Sequence, residues 1–184
     1  MDLTIVLLVI LLVAAVGAGL WYFTRQRKSQ ELQGRFGPEY EEAVRRHGDR
    51  TRAESELAGR MKRRERFDIH PLSEADRDHF ASLWRHNQAH FVDDPSMAIT
   101  EADHLVMELM RARGYPMSDF DRRADDLSVD YPHVVRNYRA AHGIALRHAR
   151  GEANTEDLRM AMVSYRDLFA ELLEPNPVRE EVRR

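Results

Sequence analysis

The sequence predicts an all-α protein with an N-terminal transmembrane helix, a charged helical connector and a compact domain of four to five amphipathic helices. Residues 3–23 form one uninterrupted apolar run, and apolar residues recur at helical spacing through the distal half. No stretch alternates apolar and polar side chains as a strand would. The predicted boundaries are an anchor over 1–24, a basic connector over 25–67, an acidic helical domain over 68–178 and a frayed tail over 179–184.

The apolar run of 3–23 is long enough to cross a bilayer. Its 21 residues rise about 30 Å as a helix, which is the thickness of the hydrocarbon core. A cleaved signal peptide is the alternative, but signal peptides have a basic segment before a shorter apolar stretch. Because basic residues instead follow the run, at Arg25, Arg27 and Lys28, we expect a single-pass anchor in the cell membrane. The N-terminus then lies outside and the C-terminal domain lies in the cytoplasm.

Charge divides the rest of the chain into a basic and an acidic part. Residues 25–67 hold 13 Lys/Arg against 8 Asp/Glu, a net of +5, whereas residues 68–184 hold 15 against 22, a net of −7. The densest basic cluster predicts contact with anionic lipid, or alternatively a solvated helix face, because glutamates are interleaved with the bases. The cluster consists of Arg60, Lys62, Arg63, Arg64 and Arg66. Nucleic acid is not an expected partner, since no stacking aromatics or recognised motif accompany these residues.

Two helices are predicted within the connector. A short one covers 39–47 and ends at Gly48, and a mostly charged one covers 49–66. The apolar content of the second helix is a thin stripe spaced by four residues, which suits a narrow pairing seam. This stripe consists of Ala53, Leu57 and Met61.

Capping residues predict where the helices of the acidic domain begin. The starting pairs are Ser73 with Asp76, Asp94 with Pro95 and Asn154 with Asp157, with Pro132 opening one more helix and a short helix predicted over 118–127. Large apolar side chains at helical spacing predict one shared core. They are Phe80, Trp84, Leu105, Leu109, Tyr138, Tyr165 and Phe169. A pocket lined by Trp84, Gln88, Tyr138 and Tyr165 is the alternative interpretation of the aromatic residues.

Two histidines have the spacing of metal ligands. His86 and His90 are four residues apart and therefore share one helix face, with Asp93 close behind. The zinc-protease motif needs glutamate directly after the first histidine, where this chain has Asn87. Two imidazoles alone do not fill a tetrahedral site, so these residues are weak metal candidates and surface histidines are the alternative.

An acidic cluster near residue 120 invites a calcium interpretation. It consists of Asp119, Asp121, Asp125 and Asp126. The glycine and terminal glutamate of an EF-hand loop are missing, and Arg122 and Arg123 lie among the acids. We therefore expect a solvated helix end.

Catalytic signatures are missing from the sequence. The chain has no cysteine, which excludes disulfides, thiolate metal sites and cysteine nucleophiles. It has no glycine-rich phosphate loop and no glycine-flanked serine of the nucleophile-elbow type. The sequence therefore predicts a non-enzymatic protein without a cofactor.

The sequence contains several distinctive short motifs, which are Trp84 with Gln88 and Phe91-Val92-Asp93-Asp94-Pro95, then Ala102-Asp103 with Leu105, Arg113-Gly114-Tyr115-Pro116, Arg35-Phe36-Gly37-Pro38-Glu39-Tyr40, and Asn137-Tyr138-Arg139 with His142. Together they resemble a family of uncharacterised bacterial single-pass membrane-anchored helical proteins. The resemblance covers most of residues 33–174. It implies a bacterial source and an N-terminal span, and it assigns no activity.

Three functions from different classes remain. The leading one is a membrane-tethered, non-enzymatic helical interaction module that faces the cytoplasm and binds a protein partner yet to be identified. The alternative is a small-ligand or metal-binding sensor at the membrane, built near Trp84 and the pair His86 and His90. The third is an enzyme whose site has no recognisable motif.

Overall fold

The computed structural model describes the backbone of residues 3–174, and the side chains of that range except at 3–10, 14, 15, 18, 20 and 21. Every regular element within that range is a helix, which confirms the all-α prediction. The helices are α1 (Leu3–Phe36), α2 (Pro38–His47), α3 (Arg50–Arg64), α4 (Glu74–His90), α5 (Pro95–Ala112), α6 (Phe120–Asp130), α7 (Pro132–Ala149) and α8 (Thr155–Leu173). The predicted tail over 179–184 lies outside the described residues.

The first helix continues well past the predicted anchor. α1 runs without a break from Leu3 to Phe36, so the apolar run and the start of the connector form one helix. In the part of the chain that the structure describes, no helix combines the length and the apolarity needed to cross a membrane. The predicted transmembrane helix over 3–23 is therefore not supported by the structure.

The chain divides into two compact units, Met1–Leu57 and Ala58–Arg184, with the division inside α3. In the first unit, Gly37 adopts a φ of +48°, which turns the chain between α1 and α2. Gly48 ends α2 in the left-handed conformation, with its N–H donating to the carbonyl of Val44. The predicted short helix ending at Gly48 is thereby confirmed.

The helices of the second unit begin at the predicted capping residues. Ser73, Asp94 and Asn154 each accept a hydrogen bond from a backbone N–H in the first turn of α4, α5 and α8. Asn154 and Asp157 form a complete capping box. The domain holds five helices, α4 to α8, and the predicted helix over 118–127 is shifted to Phe120–Asp130 because Asp119 is its N-cap.

The core of the second unit is built around α8, which packs against α7 and α5. α4 packs on α5, and α6 packs on α7. All seven residues of the predicted core are buried in one cluster, so this prediction is confirmed. Within the core, Trp84 and Phe169 stack with ring centroids 4.5 Å apart.

The segment between α3 and α4 is fixed to the end of α5. The N–H of His70 donates to the carbonyl of Arg113 at 3.1 Å, and Ile69 is buried in the core. Gly114 has a φ of +90°, and a Cβ atom at this position would lie 2.2 Å from the carbonyl oxygen of Asp68. This close approach of two backbone segments therefore requires glycine at position 114.

Candidate functional site

A groove between α4 and α5 contains the first of the predicted metal ligands. His86 and Asn87 from α4 face Glu101 and His104 from α5 across a cavity of about 240 Å³. His90 lies one turn further along α4, and its Nδ1 is 3.5 Å from Oε2 of Glu101. The rings of His86 and His90 stack with centroids 6.5 Å apart. Imidazole and carboxylate groups thus meet along this groove.

The third predicted ligand, Asp93, does not line the groove. It lies exposed in the turn after α4, and its N–H donates to the carbonyl of His90 at 3.1 Å. Among the residues that the structure describes, no three His, Cys, Asp or Glu side chains are grouped as a metal ion requires. The arrangement brings His86 toward Glu101 and His104 rather than toward Asp93.

Three arginines of the predicted lipid-binding cluster lie against aspartates on α6. We name this arrangement the α3–α6 seam, and it consists of Arg60, Arg63 and Arg64 with Asp125, Asp126 and Asp130. Arg60 is fully buried, with Nη2 2.9 Å from Oδ1 of Asp125, and its Nη1 donates to Oγ of Ser128 at 2.9 Å. Arg63 Nε lies 3.4 Å from Oδ1 of Asp126. The alternative of a solvated helix face is therefore wrong for Arg60.

At the far end of the seam, Arg64 pairs with Asp130. The carboxylate of Asp130 also accepts a hydrogen bond from the hydroxyl of Tyr115. Burial and the carboxylate of Asp130 together raise the pKa of Tyr115 far above its usual range. Burial also raises the pKa of Asp126, although the guanidinium of Arg63 opposes that shift. Arg60, Asp126 and Asp130 are almost completely buried, whereas Arg63 keeps 29% and Asp125 21% of its side-chain surface exposed, so the seam is a partly desolvated ionic contact.

Two members of the acidic cluster near residue 120, Asp125 and Asp126, belong to the seam, and the other two do not. Asp119 caps α6 by accepting the N–H of Arg122 at 3.0 Å, and Asp121 is exposed. Asp125 bridges Arg60 and Arg139, and Asp126 is only 2% exposed. The prediction of a solvated helix end is therefore wrong for Asp126, because α3 covers its carboxylate.

The five residues of the basic cluster thus fall into two groups with different surroundings. Lys62 and Arg66 are exposed, whereas the three arginines of the seam have carboxylate partners within the domain. The fully buried guanidinium of Arg60 does not reach a lipid headgroup in this conformation. Contact with anionic lipid by the cluster stays a prediction, and Lys62 and Arg66 are its exposed members.

A second group of polar side chains, three of them buried and two half-buried, lies where α5, α6, α7 and α8 meet. We name it the polar centre, and it consists of Asp103, Arg123, Tyr138, His142 and Tyr165. The hydroxyl of Tyr165 donates to Oδ1 of Asp103 at 3.0 Å, and the rings of Tyr138 and Tyr165 meet edge to face with centroids 6.0 Å apart. Phe120 stacks on His142 with centroids 3.6 Å apart, which encloses the imidazole.

Not every atom of the polar centre is paired. The hydroxyl of Tyr138, Nε of Arg123 and Nδ1 of His142 are buried and have no hydrogen-bond partner among the described residues. Burial raises the pKa of Tyr138 to about 12, with the negative charge of Asp103 adding to the effect. Burial lowers the pKa of His142 below its usual value, and the charge of Arg123 adds to the decrease while that of Asp103 opposes it.

The predicted alternative of one aromatic pocket is not formed. Trp84, Tyr138 and Tyr165 are all buried in the core cluster, where the hydroxyls of the two tyrosines belong to the polar centre. Gln88 is exposed and lines a separate groove of about 190 Å³ between α4 and α8. Gln88 therefore does not share a pocket with the three aromatic side chains.

The turn between α4 and α5 exposes apolar side chains. Val92 is 82% exposed and Met97 is 50% exposed. Asp93 and Asp94 lie beside them and are also exposed. We name these four residues the α4–α5 corner, which presents an apolar surface next to two carboxylates.

Comparisons with protein-family models, with curated proteins and with solved structures found no match.

Sequence reasoning missed both the seam and the polar centre. The sequence did contain one signal for the seam. Arg60 and Arg64 are four residues apart, and so are Asp126 and Asp130, so the two arginines share one helix face and the two aspartates share another. The polar centre had no comparable signal, since Tyr138 and Tyr165 fit the apolar period of a core face. Its polar character depends on which helices meet there.

Proposed function

We propose that this protein is a membrane-tethered, non-enzymatic helical interaction module whose compact domain faces the cytoplasm. The tether rests on the sequence, in which the apolar run of 3–23 is followed by Arg25, Arg27 and Lys28. The resemblance to an uncharacterised bacterial membrane-anchored family is part of the same proposal. Retention in the membrane pellet after alkaline carbonate extraction tests the tether, and release of the protein would contradict it.

The interaction role rests on the α4–α5 corner. An aliphatic side chain as exposed as Val92 adds little to folding, because its apolar surface stays in water. Exposed apolar side chains grouped with a polar rim are typical of protein-binding surfaces. Val92 and Met97 supply the apolar part, and Asp93 and Asp94 supply the rim.

Charge defines the chemistry of the partner. Residues 68–184 carry a net charge of −7, and the rim of the corner is acidic. A partner with an apolar pocket and basic flanks complements this surface. Such complementarity mainly accelerates association, and salt screens it.

The experiment is photo-crosslinking of the full-length protein in native membranes, followed by mass spectrometry of the captured partner. A crosslinker at position 92 captures one partner in saturable amounts, and capture falls as salt rises. With the crosslinker kept at position 92, Met97→Ser reduces capture several-fold, whereas Leu146→Ser, a matched change at an equally half-exposed position on α7, leaves it unchanged. Equal capture by both variants would contradict the proposal.

The sensor alternative has one observation in its favour, the groove in which His86, Glu101 and His104 meet. The double variant with His86→Ala and His90→Ala separates the two functions. An interaction module keeps its partner in this variant. Stoichiometric metal in the purified protein, lost in the double variant, would favour the sensor instead.

A further inference from the structure

The first unit contains a polar groove directly after the apolar run of α1. Its volume is about 300 Å³, and its walls are one face of α1 and one turn of α3. The α1 wall begins at Tyr22, which is 65% exposed, and ends at Gln33. At 1.5 Å per residue this wall is about 16 Å long. The groove therefore starts at the level where the apolar run stops.

A network of hydrogen bonds holds the α3 side of the groove in place. Glu54 Oε1 accepts from the hydroxyl of Tyr40 at 2.8 Å, from Nε of Arg50 at 3.0 Å, and from Ser29. Burial alone would raise the pKa of Glu54, but these hydrogen bonds outweigh it and lower the pKa below its usual value. Glu54 therefore acts as a fixed carboxylate that orients Arg50 at the groove.

The side chains that line the groove are chemically complementary to a phosphate ester that carries hydroxyl groups. Two guanidinium groups, Arg25 and Arg50, face one carboxylate, so the lining has a net charge of +1. Arg25 is held toward α3 because its Nη2 donates to Oγ1 of Thr51 at 2.7 Å. Guanidinium groups bind phosphate oxygens with charge-assisted hydrogen bonds.

Three glutamines complete the α1 wall, and they are Gln26, Gln30 and Gln33. An amide side chain both donates and accepts hydrogen bonds, which matches the hydroxyl groups of a polyol. The arginines are thus suited to bind the phosphate, and the glutamines are suited to form hydrogen bonds with the hydroxyl groups of the same ligand.

We infer that this groove, between Tyr22 and Gln33 of α1 and Arg50 of α3, binds the headgroup of a hydroxyl-bearing anionic phospholipid such as phosphatidylglycerol. The inference rests on the proposed membrane tether. If the run of 3–23 spans the hydrocarbon core, Tyr22 and Arg25 lie in the headgroup layer, which is about 5–7 Å thick on each side. A phosphate from the surrounding leaflet then lies within reach of Arg25.

The experiment is native mass spectrometry of the full-length protein, released from micelles that contain equal amounts of phosphatidylglycerol and phosphatidylcholine. The wild type retains phosphatidylglycerol in preference to phosphatidylcholine. Arg25→Gln reduces this retention at least fivefold. Arg27→Gln is the matched control, because it removes the same charge from the same helix outside the groove, and it leaves retention unchanged.

Two further arms test the identity of the ligand. Gln26→Ala, at the glutamine nearest the apolar run, lowers retention of phosphatidylglycerol but not of phosphatidic acid, which has no headgroup hydroxyl beyond its phosphate. Retention of free glycerol phosphate as strong as that of phosphatidylglycerol would show that a free phosphate ester is the ligand and would overturn the assignment to lipid. Equal losses in Arg25→Gln and Arg27→Gln would also overturn it, since diffuse attraction to the bilayer would then explain retention.

Failure of the groove and failure of the tether give different results. Flotation of the protein with phosphatidylcholine vesicles reports on the tether alone. A protein that floats but shows no difference between the two arginine variants overturns the groove and leaves the tether intact. A protein that does not float overturns both.

Discussion

The α3–α6 seam and the polar centre both bury charged side chains in the second unit, but they satisfy them differently. In the seam each guanidinium lies against a carboxylate, and Arg60 also donates to Ser128. In the polar centre Asp103 accepts from Tyr165, whereas the hydroxyl of Tyr138 and Nδ1 of His142 have no partner among the described residues.

The difference separates positions that stabilise the fold from positions that cost it stability. Removing one member of a buried ion pair leaves an uncompensated charge, which is strongly destabilising. Removing a buried hydroxyl that has no partner relieves a desolvation cost instead. Folding therefore accounts for the seam but not for the polar centre, and unexplained buried polar groups of this kind are candidates for function.

The largest expected effect is the loss of Arg60. Arg60→Ala should lower the free energy of unfolding by about 3 kcal/mol, because it removes a fully buried guanidinium that is paired with the carboxylate of Asp125 and with the hydroxyl of Ser128. Urea unfolding of the full-length protein in mild detergent, followed by far-ultraviolet circular dichroism, measures this change. Arg166→Ala is the control, since its guanidinium is half-exposed on α8. A loss no larger than the control would mean that the seam behaves as a surface pair.

A smaller effect distinguishes the two tyrosines of the polar centre. Tyr165→Phe should cost about 1 kcal/mol, because it removes the hydrogen bond to Asp103. Tyr138→Phe should cost less than Tyr165→Phe, because the Tyr138 hydroxyl makes no hydrogen bond of ordinary geometry among the described residues, although the guanidinium of Arg123 lies near it. The same unfolding measurement compares them, and the opposite order would show that Tyr138 is the satisfied member.

The smallest effect is a pH dependence that comes from His142. Its pKa in the folded protein is lowered, so the unfolded chain binds the proton more readily, and stability decreases as the pH falls through about 6.5. The melting temperature should therefore drop between pH 7.5 and pH 5.5 by more in the wild type than in His142→Gln. Charges on α5 and α6 act on the same imidazole, since Asp103 and Asp121 favour its protonation and Arg123 opposes it. An identical drop in both proteins would assign the pH dependence to other groups.

The sequence was sufficient for local features of the fold. N-caps such as Ser73, Asp94 and Asn154 depend on residues within one helical turn, so their pattern is visible in the chain. The core residues followed from helical periodicity for the same reason. The transmembrane prediction was also local, but the described residues do not support it.

The seam was not predictable by the same reasoning. Arg60 and Ser128 are 68 positions apart, and each charged cluster, taken alone, is typical of a solvated helix face. Only the packing of α3 near α6 makes Asp126 a buried acid. The polar centre depends on the meeting of four helices, and no single helix contains its pattern.

The hydrogen bonds between the end of α5 and the end of α8 affect how easily the last turn of α8 unfolds locally. The buried guanidinium of Arg113 donates through Nη1 to the carbonyls of Leu172 and Glu174, at 2.6 and 2.8 Å. The last carbonyls of a helix usually face water, and the last turn frays within its own helix. Here that turn opens only when the contact with α5 also breaks. The amide protons of the last turn of α8 should therefore exchange with deuterium as slowly as those of the middle of α5.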